Sequence, residues 1–163
     1  MALAESLWNQ IDTYLLAAFT ADMGAAAGLT TLTVQTFVNT AEWTPNAWTL
    51  PAVIVDGETG SLIQEVHFDG NAHAENTYDY VVGALCISDN YGTARANAKT
   101  LGHRLLGVVL DRPSFGDLGN ADGSERVQEV HPTRLTVMAF PVDGNKNNWY
   151  GLATLEIDVL SLR

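Results

Sequence analysis

The stretch AENTYDYVVGALCIS, residues 74–88, decides the fold that the sequence predicts. Its apolar side chains stand at every second position, the period of a β-strand with one buried face: Tyr78, Tyr80, Val82, Ala84 and Cys86. At residues 90–110 the apolar spacing becomes helical, and Asp89 or Asn90 is a candidate N-cap. The sequence therefore predicts a long strand followed directly by a long helix.

Further elements are predicted on both sides of this pair. A first helix is expected at residues 3–20, because Leu7, Ile11 and Leu15 recur at helical spacing. Other strands are predicted at residues 32–37, 52–56, 61–69, 125–131, 134–140 and 149–160. Turns are predicted at residues 56–60, 69–71 and 143–148, and at Pro132. Because the middle links are short, we expect one α+β domain over residues 1–163, with a mostly antiparallel sheet packed against two helices.

Charge is distributed unequally along the chain. Residues 1–94 contain eleven carboxylates and no lysine or arginine, whereas residues 95–163 contain eight of each sign, so the net charge of −11 belongs to the first part. These carboxylates must face water or meet cations from the second part or from another copy. A patterned surface is one interpretation, and a charge that serves only solubility is the other. The same charge repels phosphates, which argues against sequence-independent binding of nucleic acid.

Targeting and redox features are few. The single cysteine, Cys86, lies in an apolar run, so we expect a small core residue and no internal disulfide. No apolar run approaches the ~18 residues of a transmembrane helix. The N-terminus lacks a basic start and a long apolar centre, so no secretory signal is expected.

Motifs that carry chemistry are missing from the sequence. It contains neither a phosphate-binding glycine loop nor a nucleophile elbow. His73 and Glu75 match part of a zinc deaminase signature, but the paired cysteines that complete it are lacking. His67 lies near the same turn, where solvated residues are expected rather than metal ligands. The sequence therefore predicts no catalytic, cofactor-binding or metal-binding residue, no cofactor and no enzyme.

Two loops have unusual compositions. Residues 39–51 include Trp43 and Trp48, which either cap the core or offer an apolar contact to a partner. Residues 113–124 are rich in glycine, so we expect a mobile loop that orders on assembly.

The order of these segments resembles that of tail terminator proteins of long-tailed bacteriophages and, more loosely, of related neck and tail-completion proteins. The resemblance rests on LPAVIV (residues 50–55) and YDYVVGALCI (78–87), followed by ARANAK (94–99) in a helix that ends in LLGVVL (105–110). It spans most of the chain as a pattern of elements. The two unusual loops depart from that pattern and leave the subfamily open.

The resemblance implies a structural virion protein whose hexameric ring terminates the tail tube and joins it to the head-side connector. The implied partners are other copies of the chain, the tail tube protein and the connector protein. DNA would pass through without specific binding, and no membrane is involved. The implied location is the tail or neck of the virion, after assembly in the host cytoplasm. A connector or neck ring subunit is one alternative, and a small α+β enzyme or binding module is another.

A closed ring brings one face of a subunit against a different face of the next. The acidic first part of one copy is therefore expected to meet basic side chains of its neighbour. The candidates are Arg95, Lys99, Arg104, Arg112 and Arg126. An acidic lumen would also repel DNA during its passage. Removal of residues 115–123 is expected to spare folding but to impair ring formation or tail attachment.

Overall fold

The computed structural model describes residues 6–39, 42–68 and 72–163, with residues 57–68, 72–73 and 146 described by their backbone alone. Its elements follow in the order α1 (Leu7–Met23), β1 (Thr36–Asn39), β2 (Ala52–Phe68), β3 (Ala72–Ser88), α2 (Tyr91–Leu110), β4 (Arg126–Val142) and β5 (Asn145–Leu162). Short 3-10 helices lie at Ala25–Ala27 and Pro45–Ala47. No helix within the described ranges is long and apolar enough to cross a membrane.

The strands form one sheet in the order β1-β2-β3-β5-β4. All neighbours pair antiparallel except β1, which runs parallel to β2. The α+β class with a mostly antiparallel sheet and two helices is confirmed. The parallel strand differs from the predicted meander. Parallel pairing requires the chain to return to the same end of the sheet, and the segment between β1 and β2 makes that return.

Both helices pack on one face of the sheet. Each begins at a side-chain cap, since Ser6 accepts a hydrogen bond from the backbone N–H of Asn9 and Asn90 accepts one from that of Thr93. The core joins the apolar stripes of both helices to alternate residues of the strands. Its largest fully buried members include Leu7, Ile11, Leu15, Phe19, Tyr80, Leu101, Leu105, Leu155 and Ile157.

Two predicted interruptions of the sheet are wrong. Residues 56–60 form no chain reversal, because β2 continues from Asp56, opposite Val81, to Ser61, opposite Asp79. The extra residues of β2 are taken up by a bulge. Pro132 also lies inside one strand, β4, with a register shift before Arg134. A proline is tolerated there because β4 is an edge strand. The turn predicted at residues 69–71 lies outside the described residues.

The predicted boundaries differ most around two further segments. The strand expected at residues 32–37 begins only at Thr36, after Leu32 in the left-handed backbone region with φ 52°. Residues 113–124 contain a buried side chain that their glycine-rich composition did not predict. Phe115 is 1% exposed and belongs to the core, with its ring centroid 5.0 Å from that of Tyr14. Removing residues 115–123 would therefore open the core rather than spare folding.

The start of α2 lies against β5 at a glycine. A Cβ atom on Gly151 would overlap the carbonyl oxygen of Ala94 and stand 2.9 Å from the sulfur of Cys86. Ala94 itself is fully buried, so the small residues Ala94 and Gly151 allow close approach of helix and strand. Gly107, near the other end of α2, has no atom within 4 Å of the corresponding position.

This difference predicts opposite effects for two glycine substitutions. Gly151→Ala should lower the free energy of unfolding by about 3 kcal/mol, because the helix must move away from the sheet. Gly107→Ala should raise it by about 0.5–1 kcal/mol through helix propensity alone. Urea denaturation of both variants measures these changes. A Gly151→Ala protein as stable as the wild type would contradict the close contact.

Candidate interaction surface

The sheet face opposite the helices, here called the open face, carries the other set of strand side chains. Seven large hydrophobic side chains are exposed among the described residues, and four of them lie on the strands of this face. They are Val81 (37% exposed), Leu162 (42%), Ile87 (43%) and Met138 (45%). Ile87 and Met138 lie near one end of this face, Val81 lies in its middle, and Leu162 lies at the other end.

The open face changes in character along its strands. Cross-strand neighbours on β3, β5 and β4 form successive rows, spaced about 6.7 Å apart because side chains on one face recur every second residue. The rows are Ile87–Tyr150–Phe140, Leu85–Leu152–Met138, Gly83–Thr154–Thr136, Val81–Glu156–Arg134 and Asp79–Asp158–His131. The face is therefore apolar at the end with Ile87 and acidic around Asp158, beyond which Leu160 and Leu162 follow on β5.

A second, smaller core covers the apolar end. Trp48 and Leu50 pack against buried Ile54, Leu85 and Tyr150. Trp43 makes an edge-to-face contact with Trp48, at 5.7 Å between ring centroids, yet stays 51% exposed. The two interpretations of the tryptophan loop thus divide between its members, since Trp48 caps a core and Trp43 is available for contact.

Five carboxylates lie close together on the acidic part of the open face and are here called the acidic row. Asp79 and Asp158 are directly opposite each other, and Glu156 is one row away. Asp56 on β2 and Glu129 on β4 flank these three carboxylates. Arg134 approaches Glu156 at 3.9 Å in an exposed pair, and His131 Nε2 lies 2.8 Å from a Glu129 oxygen. Exposed pairs of this kind contribute little to the free energy of unfolding. The acidic row remains negatively charged, because its carboxylates outnumber Arg134.

The pKa of Asp158 records this crowding. Partial burial is the largest cause that raises this pKa. The charge of Asp79 and a hydrogen bond between the two carboxyl groups raise it further. Like charges directly opposite each other in a sheet repel. A cation placed over the pair would relieve that repulsion.

The outer side of α2 has the opposite charge. Arg95, Lys99 and His103 are exposed and follow each other at intervals of four residues, so they lie on one stripe, here called the basic stripe. Tyr91, 45% exposed, extends this stripe by one turn toward the N-terminus. Within the described residues, Arg95 and Lys99 form no ion pair in their own chain.

Two other basic residues expected at an interface are used inside the chain. Arg112 forms a 2.7 Å ion pair with Asp22 of α1. Arg104 donates 2.9 Å hydrogen bonds from Nη1 to the backbone carbonyls of Thr31 and Leu32. These contacts hold the segment after α1 against α2, which leaves Arg95, Lys99 and exposed Arg126 for a neighbour. Sequence spacing could have identified the i, i+4 stripe but not the internal partners of the other arginines.

A buried polar cluster lies at the end of the sheet, and sequence reasoning missed it. Glu125, 7% exposed, accepts hydrogen bonds at Oε1 from Asn76 (2.5 Å), Tyr78 (2.8 Å) and Ser161 (2.5 Å). Burial would raise the pKa of Glu125, but these three donors and the nearby Arg163 charge hold it below its usual value. The pKa of Tyr78 is raised, mainly by burial. A buried carboxylate that is ionised at neutral pH fastens the start of β4 to β3 and β5.

Of the remaining chemical candidates, His67 and His73 are directly opposite each other on β2 and β3, in segments described by their backbone alone. His103 lies on the outer side of α2, and His131 lies on the open face. Burial raises the pKa of the Cys86 thiol to about 11, so it is an inert core residue. Across the described side chains, no three metal-binding groups come together.

Glu125→Gln should lower the free energy of unfolding at pH 7 by about 1–2 kcal/mol, because hydrogen bonds to a charged acceptor are replaced by neutral ones. Because the pKa of Glu125 is lowered in the folded chain, its contribution to the free energy of unfolding is complete above the unfolded glutamate pKa of about 4.3. That contribution disappears as pH falls through the folded pKa. Urea titrations at several pH values should therefore show wild type and variant converging in acid. A constant difference down to the acid limit would argue against an ionised Glu125.

Asp158→Asn should stabilise the isolated chain at neutral pH by about 0.5 kcal/mol, because it removes a like-charge pair. Because the pKa of Asp158 is raised in the folded chain, the stability gained by the substitution is absent below the unfolded aspartate pKa of about 3.9. It is complete once pH exceeds the folded pKa of Asp158. Denaturation at low protein concentration from acid to neutral pH tests this. Asp143→Asn, in an exposed turn, is the control and should change little. Loss of stability in Asp158→Asn would contradict the repulsion.

Comparisons with known proteins give only distant likenesses. No protein-family model matches the chain, and no curated protein matches it significantly. One solved chain, from the virion of a native gene transfer agent particle, is similar over 91% of this chain and 93% of its own length, with 17% identity and a TM-score of 0.47. A second solved chain covers 90% and 94%, with 14% identity and a TM-score of 0.38. At these values the likeness assigns neither a family nor a function to this protein.

Proposed function

We propose that this protein is a structural virion protein of a tailed phage or phage-like particle. In this proposal its copies form a ring that terminates the tail tube and joins it to the head-side connector. The single observation that carries the proposal is the open face, where exposed apolar side chains and an acidic row share one surface of the sheet. The sequence resemblance to tail terminator proteins supplies the identity of the assembly.

The surfaces of one copy support a ring rather than a symmetric dimer. Two open faces brought together would place carboxylates such as Asp79, Glu156 and Asp158 against their own copies. Two basic stripes brought together would likewise repel each other. The open face and the basic stripe lie on opposite sides of the chain, so joining them takes a heterologous contact, which gives a ring when the rotation between successive subunits closes.

The charge of the chain suits a ring through which DNA passes. The net charge is −11. An acidic surface does not neutralise DNA phosphates, so contact with it releases no counterions and does not favour binding. DNA would therefore cross the ring without specific binding. In this proposal the protein works in the virion, at the junction of tail and neck, and acts as a structural subunit rather than as an enzyme.

Purified protein should form closed rings with a central hole at low salt. A hexamer would have the mass of six chains of 17.6 kDa. Light scattering gives the solution mass, and negative-stain images of the same fractions give the shape. A chain that stays monomeric at every salt and protein concentration would contradict the ring proposal.

A further inference from the structure

We infer that the ring contact, which rests on the proposed function, is made by the basic stripe of one copy lying along the open face of the next. In this contact Tyr91, Arg95 and Lys99 of one subunit meet the rows of Thr154, Glu156 and Asp158 of its neighbour. The acidic partner then comes largely from β5, in the second part of the chain, and not from residues 1–94 alone.

Charge complementarity is the first argument for this occupant. On β4 and β5 the acidic row contributes Glu129, Glu156 and Asp158 beside Arg134, so this part of the face carries excess negative charge. Arg95 and Lys99 are exposed cations that, within the described part of the chain, have no carboxylate partner of their own. The contact would therefore pair the cations of one copy with the crowded carboxylates of the next, and exclude water from both.

The spacing of the two surfaces is the second argument. Side chains four residues apart on a helix are separated by about 6 Å along its axis. Side chains two residues apart on a strand are separated by about 6.7 Å. Tyr91, Arg95 and Lys99 therefore match three successive rows of β5 when the helix lies along the strand, which aligns Arg95 with Glu156 and Lys99 with Asp158.

The apolar side chains fit the same register. Tyr91, whose ring packs edge-on against Trp149 of its own chain, would lie over the row Gly83–Thr154–Thr136, at the place where glycine has no side chain. Exposed Val81 and Met138 lie in the two adjoining rows and would border the tyrosine ring. An aromatic side chain that fills such a place contributes both buried area and orientation, as anchor residues do at protein interfaces.

Paired charge reversals test this contact. Arg95→Glu with Lys99→Glu makes the stripe acidic, and Glu156→Lys with Asp158→Lys makes the open face basic. Each double variant alone should need at least about 100-fold more protein to assemble than wild type. An equimolar mixture of the two should restore rings, because each stripe then meets an opposite face in alternation. The chain that combines all four changes should also form rings.

The control variant is Asp111→Lys with Asp143→Lys, which changes the charge equally at exposed sites outside both surfaces and should assemble as wild type does. Circular dichroism and thermal unfolding establish that each variant is folded. Arg95 and Lys99 lie on an exposed helix face, so that variant keeps the test valid even if the strand variant fails to fold.

The outcomes separate this inference from the proposed function. Loss of rings in each double variant and recovery in the mixture would support both. Rings that persist in the Arg95→Glu, Lys99→Glu variant, or that the mixture does not restore from two folded variants, would overturn the inferred contact while the ring function stands. A wild-type chain that never assembles would contradict the ring function and the contact with it.

Discussion

The close contact between α2 and β5 at Gly151 is the constraint on which the rest of the structure depends. Because Gly151 has no side chain and Ala94 has a small one, the first turn of α2 lies directly on the sheet. The helix then crosses β3, β5 and β4 and buries Ala98, Leu101 and Leu105 beneath it. The same rotation of the helix turns Arg95 and Lys99 outward, so the internal packing determines where the basic stripe lies.

One-sided coverage by the helices gives the protein two unlike surfaces. The helix face of the sheet supplies the main core, while the open face has only a small core at its apolar end. Strand alternation leaves the acidic row uncovered beside it. Association through two different faces is electrostatically favoured in such a chain, because either face placed against its own copy brings like charges together.

The buried cluster around Glu125 has a structural role of a different kind. Segment 113–124 leaves α2, inserts Phe115 into the core and reaches the sheet at Glu125. There the carboxylate is held by donors from β3 and β5, which fixes the point at which β4 begins. A glycine-rich composition therefore does not prevent this segment from packing, because one aromatic ring and one charge near its two ends are buried.

The sequence by itself determined the elements with strong periodicity, which are α2 and the long strand β3, and the α+β class; it narrowed the cap of α2 to Asp89 or Asn90, and the structure shows Asn90. It also indicated the unequal charge of the chain, since composition needs no coordinates. Only the tertiary structure decided that residues 52–68 form one bulged strand, that β1 is parallel, and that Phe115 is buried. It alone placed Glu156 and Asp158 of β5 beside Asp79 of β3 and engaged Arg104 and Arg112 inside the chain. These features depend on contacts between residues far apart in the chain, and local periodicity carries no information about such pairing.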